Sequence, residues 1–303
     1  MDYKQKILEL KKQKKAIILA HNYQRPESQD IADYVGDSIE LARKAMQEKD
    51  ADIIVFCAVD FMAESAVLLN PQKKVLLPCT GARCPMAQML TVDEIQRAKK
   101  QHPNAPVVLY VNTLASCKAE ADVCCTSANA VEVVKSLDAD TVLFGPDSNL
   151  AGYVAEKTGK TVIPIPPNGF CPTHLLFQPE DAQALKLQHP DAVLMVHPEC
   201  SKEMRDVADF IGSTSKMCRY AKESTAKEFI VGTESGILHR LIKENPDKKF
   251  YLAYDGAVCP NMKLTTLERV YEALKDEKNE VKVPDEVAKK AKASLERMFA
   301  VKS

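Results

Sequence analysis

The stretch Lys74-Val75-Leu76-Leu77-Pro78-Cys79-Thr80-Gly81-Ala82-Arg83-Cys84-Pro85 decides the fold, because its outline is written three times. Lys160-Thr161-Val162-Ile163-Pro164 leads to Cys171-Pro172, and Lys249-Phe250-Tyr251-Leu252 leads to Cys259-Pro260. The three Cys-Pro pairs stand 87 and 88 residues apart, in a 303-residue chain where 10 Cys and 17 Pro give less than one such pair by chance. Other landmarks keep the same period, as a true repeat must. Ala32-Asp33-Tyr34-Val35-Gly36-Asp37-Ser38 resembles Ala121-Asp122-Val123-Cys124-Cys125-Thr126-Ser127 and Ala208-Asp209-Phe210-Ile211-Gly212-Ser213-Thr214. An acid follows an apolar run at Asp60, Asp147 and Glu234. Short runs ending in polar groups recur at Ile17 to Tyr23, Val107 to Thr113 and Val193 to Glu199, with His21 and His197 in equivalent places. One unit of about ninety residues is therefore repeated three times, with boundaries at 1–90, 91–177 and 178–303.

Each copy reads as strand–helix–strand–helix–strand. In the first, Ala16 to Ala20 is a strand and Ser38 to Gln47 has helical spacing. Ile53 to Ala58 is a continuous apolar run, as in a strand buried on both faces of a parallel sheet. Phe61 to Leu69 is a helix stopped by Asn70-Pro71, and Val75 to Leu77 is the third strand. Strands alternating with helices imply an α/β fold of three βαβαβ-type domains around a pseudo-threefold axis. Ligands of such sheets lie beyond the carboxyl ends of the strands, so the active site is expected at the centre. Pro284 to Phe299 is an amphipathic helix across the outside.

Composition excludes several classes of function. A net charge of −1 gives no electrostatic reason for a nucleic-acid or anionic-membrane partner. No apolar run approaches the ~20 residues that cross a bilayer. Lys11-Lys12-Gln13-Lys14-Lys15 near the N-terminus is a solvated helix face rather than a secretory leader, and the expected location is cytoplasmic. Cysteines in a reducing compartment point to metal or catalysis before disulfides, and no Cys-x-x-Cys occurs.

Cys84, Cys171 and Cys259 would meet at the centre if the copies share an axis. Three thiolates rather than four suggest a metal centre with one open position. Soft thiolates suit zinc and iron–sulfur alike, so ligand type leaves both open. The other seven cysteines do not recur and read as small buried apolar residues. Ser38, Ser127 and Thr214 read as helix N-caps whose helix N-termini could also bind anions. Gly36 and Gly212 just upstream favour a close backbone approach. His21 and His197, with Tyr23 and Glu199 beside them, suit proton handling or carboxylate binding. Tyr110 and Asn112 end the corresponding strand of the middle copy. Asp60, Asp147 and Glu234 read as caps of the helices that follow.

Ala20-His21-Asn22-Tyr23-Gln24, Asp30-Ile31-Ala32-Asp33, Gly36-Asp37-Ser38, Tyr110-Val111-Asn112, Thr126-Ser127-Ala128-Asn129-Ala130, Gly145-Pro146-Asp147, His197-Pro198-Glu199-Cys200 and Gly232-Thr233-Glu234 resemble motifs of the quinolinate synthase (NadA) family. The resemblance spans nearly the whole chain. It implies three homologous α/β domains around a cavity and a [4Fe–4S] cluster on Cys84, Cys171 and Cys259, with one iron not ligated by protein. It also implies condensation of iminoaspartate with dihydroxyacetone phosphate to quinolinate, phosphate and two waters, in de novo NAD biosynthesis. A functional link to the enzyme that makes iminoaspartate follows from that. In this reading His21, Ser38, Tyr110, Asn112, Ser127, His197, Glu199 and Thr214 bind substrate, and Glu199, Tyr23 and His21 move protons. The cysteine-rich C-terminal motif of some longer members is absent. Two alternatives are an iron–sulfur hydro-lyase acting on another small carboxylate and a non-catalytic binding protein stabilised by zinc.

Overall fold

The computed structural model describes residues 2–301. The first unit comprises α1 (Tyr3–Gln13), β1 (Ala16–His21), α2 (Pro26–Ile31), β2 (Tyr34–Gly36), α3 (Ser38–Gln47), β3 (Ile53–Cys57), α4 (Asp60–Leu69) and β4 (Lys74–Leu76). The second repeats it with α5 (Val92–Gln101), β5 (Val107–Tyr110), α6 (Ala115–Lys118), β6 (Val123–Cys125), α7 (Ala130–Lys135), β7 (Thr141–Gly145), α8 (Ser148–Thr158) and β8 (Thr161–Pro164). The third has α9 (Pro179–Gln188), β9 (Val193–Val196), α10 (Lys202–Asp206), β10 (Phe210–Ile211), α11 (Thr214–Glu223), β11 (Glu228–Gly232), α12 (Ile237–Glu244) and β12 (Lys249–Leu252). A short 3-10 turn follows each Cys-Pro pair.

Each unit builds one parallel four-stranded sheet, in the orders β2-β1-β3-β4, β6-β5-β7-β8 and β10-β9-β11-β12. The expected three strands per copy are thus joined by a fourth at one edge. Those edge strands, β2, β6 and β10, are only two or three residues long, too short for any periodicity to register. What makes them strands is a repeated aspartate. Asp33, Asp122 and Asp209 each accept an amide hydrogen from the neighbouring first strand, at Ile18, Val107 and Leu194 (2.8, 2.7 and 2.8 Å). Each donates its own amide back to the same residue's carbonyl. Charged hydrogen bonds of this kind contribute about 1.5–3 kcal/mol each.

Two helices complete the chain, α13 (Leu267–Asp276) and α14 (Asp285–Ala300). α13 begins a fourth period: it stands where α5 and α9 stand relative to the preceding Cys-Pro pair. It packs against α1 and β3, burying Val270 and Leu274 with Ile7, Ile18 and Val55 of the first unit. The end of the third unit therefore closes onto the first. α14 is the expected tail helix. It packs on α6, β6 and α4, bridging the second and first units rather than lying on the third. Its buried residues are Ala291, Ser294, Leu295 and Met298. No helix of the described residues is long and apolar enough to cross a membrane.

Candidate metal centre and substrate cavity

The β1, β5 and β9 strands end at one shared cavity. All twelve residues to which the family resemblance gives a metal, substrate or proton role line it: His21, Tyr23, Ser38, Cys84, Tyr110, Asn112, Ser127, Cys171, His197, Glu199, Thr214 and Cys259. Each unit contributes four of them. Residues that sequence reading missed also line it, notably His174, Asp37 and Met86.

The helix caps differ from expectation by one or two residues. The N-cap of α3 is Asp37, in a capping box with Glu40, and that of α11 is Ser213; Ser127 lies ahead of α7, whose N-cap is Asn129. Ser38 and Thr214 are therefore the first helical residues and not the caps. Because a neighbour does the capping, their hydroxyls are released to the cavity. Gly36 and Gly212 serve their own helices rather than a ligand. A Cβ on Gly36 would meet Glu40 Oε2 at 2.7 Å, and one on Gly212 would meet Phe210 at 2.8 Å and Lys216 Cβ at 3.0 Å.

His21 and His197 share one geometry. Nδ1 of His21 accepts the amide of Tyr23 (3.1 Å), and Nδ1 of His197 accepts the amide of Glu199 (3.3 Å). Accepting at Nδ1 puts the proton on Nε2, so each ring presents an N–H; that of His197 lies 3.2 Å from Ser127 Oγ. Burial pushes both pKa values down, to about 3. Protonation would also break the Nδ1 bonds. For His21 the sign is definite. Between pH 6.5 and about 3 the unfolded chain binds a proton that the folded chain refuses, so stability falls as pH drops. By pH 4.5 the loss is on the order of 2–3 kcal/mol. The fall in Tm from pH 7 to 4.5 is expected to be smaller in His21→Gln than in the parent, and equal falls would contradict this protonation state.

Glu199 is 3% exposed, and one of its oxygens lies 2.7 Å from His174 Nδ1. Burial raises its pKa, but His174, His197 and Tyr110 outweigh burial and hold the carboxyl below its ordinary range. Its other oxygen, Oε1, is buried without a partner, as is Asn112 Oδ1. Buried polar atoms left open on a cavity wall mark places where a ligand completes the hydrogen bonding. His174 is the hub that sequence reading missed. It also lies 3.1 Å from Cys171 Sγ and 2.8 Å from Thr233 Oγ1, and its ring stacks on His197 at 4.6 Å. Thr233 in turn bonds the Tyr23 hydroxyl at 2.5 Å. Burial, then the charge of Glu199, keeps Tyr23 and Tyr110 protonated. Asn22 Nδ2 donates to Thr214 Oγ1 (2.8 Å), tying the first unit to the third at the cavity.

The three Cys-Pro thiols face the same space; burial raises each pKa, and Cys259 adds to the rise at Cys84 as Cys84 does at Cys171. Proline supplies no amide hydrogen, and the amides three residues on, at Ala87, His174 and Met262, are turned toward the sulfurs and favour thiolate. A single zinc binds sulfur at ~2.3 Å, which would bring three sulfurs within about 4 Å of one another. Among the described residues the three cysteines do not meet that spacing; the one close group is Cys171, His174 and Glu199, with ligand atoms within 4.8 Å. The donor set is all thiolate and wider than a lone ion needs, which fits a polynuclear cluster.

Fold and site together define a triplicated α/β chain whose three units share one pocket lined by three thiols and a ring of imidazole, hydroxyl, amide and carboxyl groups. The Quinolinate synthetase A protein family matches residues 5–300, so the chain belongs to the NadA family. It is 57% identical to the quinolinate synthase of Pyrococcus furiosus over 298 residues, covering 98% of this chain and 97% of that one. It is 55% identical to that of Methanothermobacter thermautotrophicus and 54% identical to that of Thermotoga maritima, covering 97% of both chains in each case.

Proposed function

We propose that the chain condenses iminoaspartate with dihydroxyacetone phosphate to quinolinate, releasing phosphate and two waters, at a [4Fe–4S] cluster held by Cys84, Cys171 and Cys259. The observation that carries this reading is the convergence of the three periodic thiols with both histidines, Glu199 and the helix starts on one cavity. When bound, the cluster supplies a Lewis-acidic iron with an open position, which polarises a substrate oxygen or nitrogen and helps hydroxide leave. The Nε2–H groups of His21 and His197 bind the carboxylates of iminoaspartate. Ser38, Ser127 and Thr214, with the positive ends of α3 and α11, hold the phosphate and a carboxylate. Tyr110 and Asn112 orient the dicarboxylate. Glu199 is the general base: it takes a proton from carbon or nitrogen and returns one to a departing water. Tyr23, kept neutral and held by Thr233, is the complementary acid.

The test uses protein purified without oxygen. Expected are iron and sulfide near four each, a visible cluster spectrum, and quinolinate formed only when both substrates are present. Air should bleach spectrum and activity together, and iron, sulfide and reductant should restore them. Product without one of the two substrates, or activity unchanged by prolonged aeration, would overturn the reading. A second reading has one observation behind it: Cys171, His174 and Glu199 could hold a single ion. Colourless protein with one zinc and no sulfide would favour it.

A further inference from the structure

Of Asp60, Asp147 and Glu234, expected as simple helix caps, only Asp147 is one; the N-cap position of α4 is Val59 and that of α12 is Gly236, and all three acids reach a cysteine loop. Asp60 Oδ1 accepts the amide hydrogen of Cys84 (3.1 Å), Asp147 Oδ2 that of Cys171 (3.1 Å) and Glu234 Oε1 that of Cys259 (3.0 Å). The reach is the same each time, 24, 24 and 25 residues along the chain. A backbone bond returns in every unit: Asp60, Ser148 and Ser235 donate to the carbonyls of Ala82, Gly169 and Ala257, each two residues before the cysteine (2.9, 2.8 and 3.0 Å). A helix start and a cysteine loop are thus stapled in both directions, three times over.

Capping alone does not account for acids here. Other helices of this chain are capped by hydroxyls, at Thr91, Ser201, Ser213 and Thr266, and by acids, at Asp2 and Asp37. Asp147 and Glu234 are fully buried, and a buried carboxylate is costly unless fully hydrogen-bonded. Glu234 also pairs with Lys263 Nζ at 2.9 Å, an ion pair that neither Asp60 nor Asp147 makes among the described residues. At Asp147 and Glu234 a carboxylate adds a second oxygen that a hydroxyl lacks, which lets one side chain serve the start of the helix and the cysteine loop at once. Asp147 gives Oδ1 to Leu150 (2.6 Å), and Glu234 gives Oε2 to Gly236 (2.7 Å).

We propose that Asp60, Asp147 and Glu234 are positioning residues of the metal centre: each holds the amide hydrogen of its own unit's cysteine, and together they fix three sulfurs in place before a cluster arrives. This rests on the cluster reading above. Groups that orient metal ligands typically change metal retention by about 10–100-fold when removed.

The geometry separates the substitutions. At Asp147 the two donors use two oxygens, so Asp147→Asn must abandon one of them. At Asp60 Oδ1 takes both Phe61 (2.9 Å) and Cys84 while Oδ2 takes only the Gln88 side-chain amide (3.1 Å), so Asp60→Asn keeps both backbone bonds while Asp60→Ala loses them. The measurement is the rate at which a ferrous chelator strips iron from the reconstituted full chain under nitrogen. Asp147→Asn and Asp60→Ala are expected to lose iron about 10–100-fold faster than the parent. Asp60→Asn should stay within about threefold of the parent, as should Thr91→Ala, which removes only the cap of α5. In iron-free protein, amide hydrogen exchange at Cys171 should quicken in Asp147→Asn while Cys84 and Cys259 keep the parent's rates. Equal iron loss in parent and variants, or loss from Thr91→Ala as fast as from Asp147→Asn, overturns the proposal. A parent chain that takes up no iron and sulfide overturns the cluster reading and this role with it. That outcome is distinct from failure of the clamp alone, in which parent and variants all load and lose iron alike.

Discussion

Cys84→Ser, purified without oxygen and reconstituted with iron and sulfide, is expected to hold no stable [4Fe–4S] cluster and to form no quinolinate. The same is expected of Cys171→Ser and Cys259→Ser. Each sulfur comes from a different unit, and no other cysteine lines the cavity among the described residues. A hydroxyl at the same place is a far weaker ligand for iron than a thiolate. Cys57→Ala and Cys218→Ala should keep iron, sulfide and turnover. Cys57 and Cys218 are absent from the cavity wall, and burial pushes both thiols up to about 12, which makes them inert. Iron and sulfide analysis, the visible spectrum and quinolinate assay on the same preparations decide the matter. A Cys84→Ser protein with full cluster and full turnover would refute the three-ligand site.

Glu199→Gln should load its cluster and bind substrate normally, yet lose quinolinate formation by about 10²–10⁴-fold, the usual worth of a general base. The amide oxygen of Gln can still accept from His174, so Tm should hold to within a few degrees. What disappears is the ability to take up a proton. Because Glu199 ends a turn rather than a core strand and keeps one oxygen free toward the cavity, its loss falls on kcat more than on KM. Product analysis should reveal an uncyclised or incompletely dehydrated species. Near-parental turnover with a correctly loaded cluster would remove Glu199 from the chemistry and transfer the role to Tyr23 or His21.

Much of this site could be read directly because its residues recur. A cysteine, a histidine or a hydroxyl at the same place in two or three copies stands out against the chain's other cysteines and serines. His174 escaped for the corresponding reason. Its position, three residues after Cys171, is filled by Ala87 and Met262 in the other copies, so the repeat gave no signal there. A polar residue where the other copies are apolar was the one available clue. Two of the caps were misplaced by one residue because Asp37-Ser38 and Ser213-Thr214 each offer two capping residues in a row. Which of the two caps depends on where the preceding strand releases the chain.

By itself the sequence determined the triplication, the α/β class, the alternation of strands and helices, and the set of thiols, since all of these follow from local patterns and their period. The tertiary structure alone decided what those residues do to one another. His174 reaches Glu199, Thr233 and Cys171 at once, and Asn22 reaches Thr214 across 192 residues of chain. α13 leaves the third unit to cover the first, and the carboxylates of Asp60, Asp147 and Glu234 extend past their own helices to the cysteine amides. The reason is physical. A strand or helix is specified by neighbours a few residues away, whereas a hydrogen bond between units depends on how three sheets pack, and no local pattern encodes that distance.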